Sequence, residues 1–322
     1  MTTFPIKRPK LALVGAGNIG GTLAHLALQR HFADVVLIDV TEGVPQGKAL
    51  DLSQGNAIDH LAHRCTGSND MADLKDADVV IVTAGLPRKP GMSRDDLLSI
   101  NAGIIRSVAT HIKTYCPTAF VIVVTNPLDV MVWHMQKTSG LPTTHVVGMA
   151  GILDTGRYVH FLAEAMNVSP IDIQAFVLGG HGDGMVPMPR YTTVSGIPLA
   201  EWIRMGMLSQ EKLDHIIERT RNGGAEIVGL LKTGSAFYAP ASAALSMAES
   251  YLFDQRRILP CAVHLNGEYG IRNMYVGVPA IIGRSGVEKI IELPLEADEK
   301  TSFDASVESV QKLMHDVERL GL

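Results

Sequence analysis

Leu11-Ala-Leu-Val-Gly15-Ala16-Gly17-Asn18-Ile19-Gly20-Gly-Thr-Leu-Ala-His25 is the stretch that decides the fold. An apolar run short enough for a buried strand meets three glycines spaced G-x-G-x-x-G, and a helical pattern follows. The first glycine allows a tight turn, the second lets a pyrophosphate approach the backbone, and the third lets helix and strand pack closely. The N–H groups at the start of the helix then face the phosphates. Asp39 closes the next apolar run, Val35–Asp39, at the position where a carboxylate accepts from ribose hydroxyls and repels a 2′-phosphate. This combination predicts a dinucleotide site with NAD favoured over NADP; the alternative is a plain strand-turn-helix with a chance aspartate.

Outward from that unit the pattern repeats. Asp78–Val82 and Ala119–Val124 are further near-continuous apolar runs, as expected of strands buried on both faces of a parallel sheet. Helical patterns lie between and after the runs, at Ile19–Arg30, Gly43–Asp59, Asp95–Tyr115 and Val130–Ser139. The alternation predicts right-handed βαβ units and an α/β fold: an N-terminal doubly wound parallel sheet of Rossmann type. Beyond a boundary near 145–152, drawn at 148, the style changes to a C-terminal α+β catalytic domain. Residues 1–148 would hold the nucleotide and 149–322 would supply the chemistry. The second part reads as a helix over Ile152–Met166, a strand over Ile173–Leu178 and a hairpin turning on Asn266-Gly267 between Leu259–Leu265 and Tyr269–Val276. An amphipathic closing helix over Thr301–Leu320 completes it.

Composition narrows the function. A chain of 322 residues with 46% hydrophobic content fills two moderate domains. A net charge of −5 with no basic stripe gives a nucleic-acid partner no support. The apolar runs fall far short of the roughly 20 residues a membrane helix needs, so no membrane partner is expected. Met1–Lys10, with two prolines and no apolar core, reads as an exposed lead-in. Three scattered cysteines, Cys65, Cys116 and Cys261, suit a cytoplasmic location and offer neither a disulfide framework nor a metal site.

Several polar groups stand where a bland sequence would not need them. His181, within Gly179-Gly-His-Gly-Asp183, follows an apolar strand, and its flanking glycines uncover an imidazole able to exchange a proton near neutrality. A histidine in a glycine loop also serves purely structural ends. Asp154 and Arg157 share one helix face, as an orienting carboxylate for His181 and a planar fork for a substrate carboxylate, or as a surface ion pair. Thr83–Asp96 carries Arg88 and Arg94 among prolines and glycines, which suits a lid closing on an anion or a solvated basic loop. Thr125-Asn126-Pro127 ends a strand at the edge where doubly wound sheets bind ligands. Asn126 there either contacts substrate or nicotinamide or caps a turn.

Together these motifs resemble the lactate/malate dehydrogenase family over nearly the whole chain, most closely its lactate-dehydrogenase-like bacterial malate dehydrogenases. The resemblance implies that His181 exchanges the proton with Asp154 as its partner. It implies that Arg157 binds the carboxylate beside the reacting carbon, Arg94 polarises the reacting carbonyl and Arg88 grips a distal carboxylate. Asn126 would bond substrate and cofactor. Asn101, Val124 and Thr125 would join Gly15, Ala16, Gly17, Asn18, Ile19, Gly20 and Asp39 as cofactor contacts. It further implies a cis bond before Pro127, a homodimer or homotetramer, and malate/oxaloacetate as the dicarboxylate substrate. A lactate dehydrogenase would carry a neutral side chain in place of Arg88, and a non-catalytic nucleotide-binding module would have lost His181, Asp154 or Arg157. Gly156, Gly184 and Asn266-Gly267 depart from the pattern of close relatives without removing a chemical group.

Overall fold

The computed structural model describes residues 8–87 and 93–321. The lead-in residues 1–7 and the middle of the arginine loop, with Arg88, lie outside the described residues. The first half runs β1 (Lys10–Val14), α1 (Asn18–Gln29), β2 (Asp34–Ile38), α2 (Val44–Ile58), β3 (Cys65–Ser68), β4 (Val79–Val82), α3 (Arg94–Tyr115), β5 (Phe120–Val123), α4 (Leu128–Ser139) and β6 (Val146–Gly148). Then come α5 (Gly151–Met166) and the short strands β7 (Ile173–Gln174), β8 (Val177–Leu178), β9 (Val186–Pro187), β10 (Thr193–Val194) and β11 (Ile197–Pro198). Helices α6 (Leu199–Arg204), α7 (Gln210–Leu231) and α8 (Tyr238–Leu252) follow. The chain ends with β12 (Arg257–Asn266), β13 (Arg272–Gly283), β14 (Gly286–Ile290) and α9 (Ala297–Arg319). Among the described residues no helix is long and apolar enough to cross a membrane.

Six strands pair in parallel in the order β3-β2-β1-β4-β5-β6. The order in which the chain adds strands reverses between β1 and β4, which opens a crevice at their carboxyl ends. The sheet does not stop at β6. β12, β13 and β14 extend it antiparallel, joined through the pairing of Gly148 with Ala262. A Cβ on Gly148 would stand 2.5 Å from Val132 and 3.0 Å from Ala262, so the junction closes only around a glycine.

Apolar side chains fill both faces. Leu23, Ala24 and Leu28 of α1 and Ala244, Leu245 and Met247 of α8 cover one face. Leu98, Ile105 and Ile112 of α3 cover the other, with Met131 and Met135 of α4 and Val317 of α9. Each large aliphatic side chain so buried contributes about 1.5–3 kcal/mol. A smaller core under Tyr158, Leu162, Leu213 and Ile216 joins α5 to α7.

Two sequence expectations need correction. The strand predicted over Ile173–Leu178 is two strands in separate small sheets, β7 with β10 and β8 with β9. The hairpin does not turn on Asn266-Gly267 alone. Gly267–Ile271 forms the connection, Tyr269 adopts φ 54°, and its hydroxyl donates to the Ile291 carbonyl at 2.9 Å. That bond to the segment after β14 recruits Tyr269 away from the strand.

Gly179 and Gly277 exchange backbone hydrogen bonds at 2.8 and 3.2 Å, locking the His181 loop onto β13. A Cβ on Gly277 would collide with the Gly179 carbonyl oxygen, whereas one on Gly156 meets nothing within 4 Å. Gly277→Ala is therefore expected to destabilise the protein by about 1–3 kcal/mol, and Gly156→Ala to stabilise it by about 0.4–1 kcal/mol. Thermal unfolding of both variants checks the opposite signs; an unchanged midpoint for Gly277→Ala would mean the contact relaxes freely.

Candidate active site

The crevice begins at the turn after β1. Gly15 has φ +108°, a conformation that L side chains rarely adopt, and a Cβ on Gly20 would collide with the Gly15 carbonyl. Gly17, by contrast, faces open space, and α1 starts without a side-chain cap. The uncapped N–H groups around Asn18 and Ile19 therefore remain available to an anion. Ala16 is buried beneath them and donates its N–H to Asp39 Oδ2 at 2.7 Å, while Thr41 donates to Oδ1 at 2.9 Å. Burial pushes the Asp39 carboxyl up, but these donors outweigh it and hold the group below its ordinary value. A lone pair remains on each oxygen for a ribose hydroxyl. Lys48, which sequence reading missed, donates to the Gly17 carbonyl at 2.9 Å and places a cation beside the loop. These features fit a dinucleotide: room at Gly17, free donors at the helix start and an ionised acceptor at the far end.

The other cofactor candidates line the neighbouring strand ends. Val124 and Thr125 are buried, and Thr125 donates to the Ala84 carbonyl at 2.7 Å. Asn101, 1% exposed, accepts from the Leu86 N–H at 2.8 Å and donates to the Asn126 carbonyl at 2.7 Å. Its side chain thus ties the loop after β4 to the segment after β5. Asn126 itself is exposed at the crevice, and the Asn126–Pro127 bond is cis.

Asp154, His181 and Arg157 do converge. Asp154 is 1% exposed on the first turn of α5; Oδ2 lies 2.8 Å from His181 Nδ1, and Oδ1 accepts from Arg157 Nη1 at 3.1 Å. One carboxylate therefore orients an imidazole and a guanidinium together. Burial works against a charged His181, but the Asp154 charge and hydrogen bond, helped by Asp129, raise its proton affinity above the ordinary value of 6.5; Arg157 opposes this. The bond to Nδ1 leaves Nε2 as the nitrogen for a reactant. Arg157 has a buried Nε without a partner among the described residues, and Gly223 and Gly224 of α7 pack against its guanidinium. A Cβ on Gly223 would come within 3.2 Å of Arg157 Cδ, so a glycine at 223 lets α7 lie this close. Arg94 stands apart, exposed at the first residue of α3, where its charge opposes the helix dipole.

The His181 loop is held by groups that sequence reading did not single out. The Gly180 N–H donates to Ser306 of α9 at 2.9 Å, and the His181 N–H donates to Asp129 Oδ2 at 2.9 Å. Asp129 follows Thr125-Asn126-Pro127 closely, and an aspartate amid the apolar run Leu128–Val132 was the available signal.

Two family models match this chain. The lactate/malate dehydrogenase NAD-binding domain matches residues 9–148, and the lactate/malate dehydrogenase alpha/beta C-terminal domain matches residues 152–320. The chain belongs to the lactate/malate dehydrogenase family. It is 47% identical to Cryptosporidium parvum malate dehydrogenase, with 97% of this chain and 100% of that one covered and a TM-score of 0.95. Lactate dehydrogenase from Eimeria maxima, crystallised with NADH and oxamate, is 45% identical over 98% of each chain, with a TM-score of 0.95. Plasmodium falciparum malate dehydrogenase is 44% identical over 97% of this chain and 99% of that one, with a TM-score of 0.94. The protein is thus an NAD-dependent 2-hydroxy acid dehydrogenase, and relatives named for malate and for lactate stand at similar identity.

A carboxylate held ionised at Asp39 would face a 2′-phosphate as a like charge, a juxtaposition that costs several kcal/mol. kcat/KM with NADH is expected to exceed that with NADPH by about 100-fold or more, and Asp39→Asn to narrow the gap. Equal values for the two cofactors in the wild type would remove Asp39 from this role.

Proposed function

We propose that the protein is a malate dehydrogenase that interconverts (S)-malate and oxaloacetate, with His181 as proton donor and acceptor and Asp154 as its orienting partner. The observation that carries the chemistry is the Asp154 carboxylate shared between His181 and Arg157 at 2.8 and 3.1 Å. It sets a proton-exchanging group beside a cation suited to a carboxylate, the pair that a 2-hydroxy acid presents on adjacent carbons. NAD supplies the hydride acceptor in oxidation and, reduced, the donor in the reverse direction.

In oxidation neutral His181 takes the hydroxyl proton through Nε2, and Asp154 stabilises the imidazolium that forms. In reduction protonated His181 returns a proton to the alkoxide oxygen. Arg157 orients the substrate through its carboxylate, Asn126 bonds the reacting oxygen and the cofactor region, and Arg94 polarises the carbonyl. Asn101, Val124 and Thr125 wall the cofactor side.

Malate is favoured over lactate by Arg88. A second carboxylate matches that cation, whereas the methyl of pyruvate would leave it unpaired in a closed site. Removing one side of a desolvated charge pair costs about 2–5 kcal/mol, so oxaloacetate should be preferred over pyruvate by roughly 30-fold to several thousand-fold. NADH oxidation with each keto acid tests this directly. Arg88→Gln is expected to collapse the preference, while Arg94→Gln depresses both rates. An unchanged oxaloacetate-to-pyruvate ratio in Arg88→Gln would undo the malate assignment.

The raised proton affinity of His181 fixes the sign of the pH dependence. kcat/KM for keto acid reduction should be flat in acid and fall as pH rises through a midpoint above 6.5, because the protonated imidazole is needed. Hydroxy acid oxidation should rise through the same region. His181→Asn should bind NADH normally, since the phosphate cradle is built by other residues, yet lose turnover; normal turnover would refute the role.

A further inference from the structure

His181 touches two buried carboxylates, Asp154 through its ring and Asp129 through its backbone N–H, and only Asp154 has a part in the scheme above. Asp129 stands on the first turn of α4. It is 4% exposed. Its Oδ2 accepts the His181 backbone N–H at 2.9 Å, and Oδ1 has no partner among the described residues. A carboxylate so placed is costly if its only task is to accept one backbone hydrogen bond, which a neutral amide or hydroxyl would do as well. The neighbouring Gly180 N–H shows that economical solution, since it bonds the neutral Ser306.

A buried charge with an idle oxygen is explained by an opposite charge that comes and goes beside it. The protonated His181 imidazole is such a charge. Among the described residues, the largest charged influences on it besides Asp129 are Asp154, which also favours protonation, and Arg157, which opposes it; both belong to α5. From α9 the loop meets the neutral Ser306 and Val310, and from β13 it meets Gly277. Gly180 lets the loop lie against α9, because a Cβ there would stand 2.7 Å from Val310 Cγ2; Asp129 Oδ2 would be in ordinary contact with it at 3.4 Å.

We propose that Asp129 is a second positioning residue of the proton shuttle, gripping the His181 backbone and supplying a buried negative charge that favours the protonated imidazole. The proposal rests on His181 being that shuttle. Burial pushes the Asp129 carboxyl up to about 6, and the His181 N–H and charge limit that rise. The two groups titrate as a coupled pair, each favouring the other's charged form. A carboxylate from the nucleotide-binding half thereby acts on the proton affinity of a histidine carried by the other half.

The coupling is reciprocal, so it is read from both ends. The His181 imidazole titration is followed by NMR in the full-length protein, its signal assigned by its absence from His181→Asn. Asp129→Asn keeps a backbone acceptor and removes the charge, so the His181 midpoint is expected to fall by about half to one pH unit. The alkaline limb of keto acid reduction should move down with it. Ser306→Ala removes a neutral anchor of the same loop and is expected to leave the midpoint in place. From the other end, His181→Asn should raise the titration midpoint of the Asp129 carboxyl, followed by its ¹³C signal, and this needs no Asp129 variant to fold. An Asp129→Asn protein with an unmoved His181 midpoint overturns the proposal. So does a Ser306→Ala midpoint that moves as far, or an Asp129 carboxyl indifferent to His181→Asn. Normal turnover in His181→Asn would instead sink the shuttle reading, and the titrations would still decide whether the pair is coupled.

Discussion

The Asp154 carboxylate, 1% exposed, is bonded by His181 through one oxygen and Arg157 through the other. Removing one partner from a buried pair of this kind typically costs about 3–5 kcal/mol. The positions of α5, of the Gly179–Gly182 turn and of α7 are therefore mutually constrained. Gly223 lets α7 pack closely on Arg157, and the Gly179–Gly277 bridge fixes the backbone that leads into His181.

The sheet makes this arrangement possible. Because β12, β13 and β14 continue the sheet beyond β6, the strand that grips the histidine loop shares a backbone lattice with the strands that end at the nucleotide crevice. Displacing one relative to the other would break ladder hydrogen bonds and the closely packed junction at Gly148 and Ala262. The crevice and the imidazole thus stand on one rigid support, which suits a reaction that depends on how two reactants face one another. α4 adds a second link, since Asp129 reaches the His181 loop from the helix that follows the Asn126–Pro127 bond.

Much of the site was legible. Gly15, Gly17 and Gly20 announce themselves because the backbone geometry they serve is local, a turn between one strand and one helix, and Asp39 by its place at the end of the next strand. Asp154 and Arg157 were legible as a helix face, and His181 as a histidine freed by glycines. Lys48 and Asp129 were not, because their significance lies in contacts with Gly17 and His181 that no local pattern encodes. The same contrast holds for secondary structure. The buried strands β1, β2, β4 and β5 are apolar runs, whereas the edge strand β3, Cys65-Thr-Gly-Ser68, has no apolar pattern and exists through its pairing with β2. The Tyr269 turn shows tertiary contact overriding a short-range signal, because the bond to Ile291 draws the tyrosine out of the hairpin.

By itself the sequence determined the class of chemistry. Strand-helix alternation, the glycine fingerprint and the choice of His, Asp and Arg are properties of residue type and short-range spacing, and these survive without coordinates. Only the tertiary structure decided that Asp154 bonds His181 and Arg157 together, that a second carboxylate holds the His181 backbone, and that one sheet runs through both halves. Those facts depend on residues far apart in the chain meeting within hydrogen-bonding distance. Such meetings are set by the packing of whole helices and strands, where a missing Cβ at Gly148, Gly277 or Gly223 decides how close two elements come.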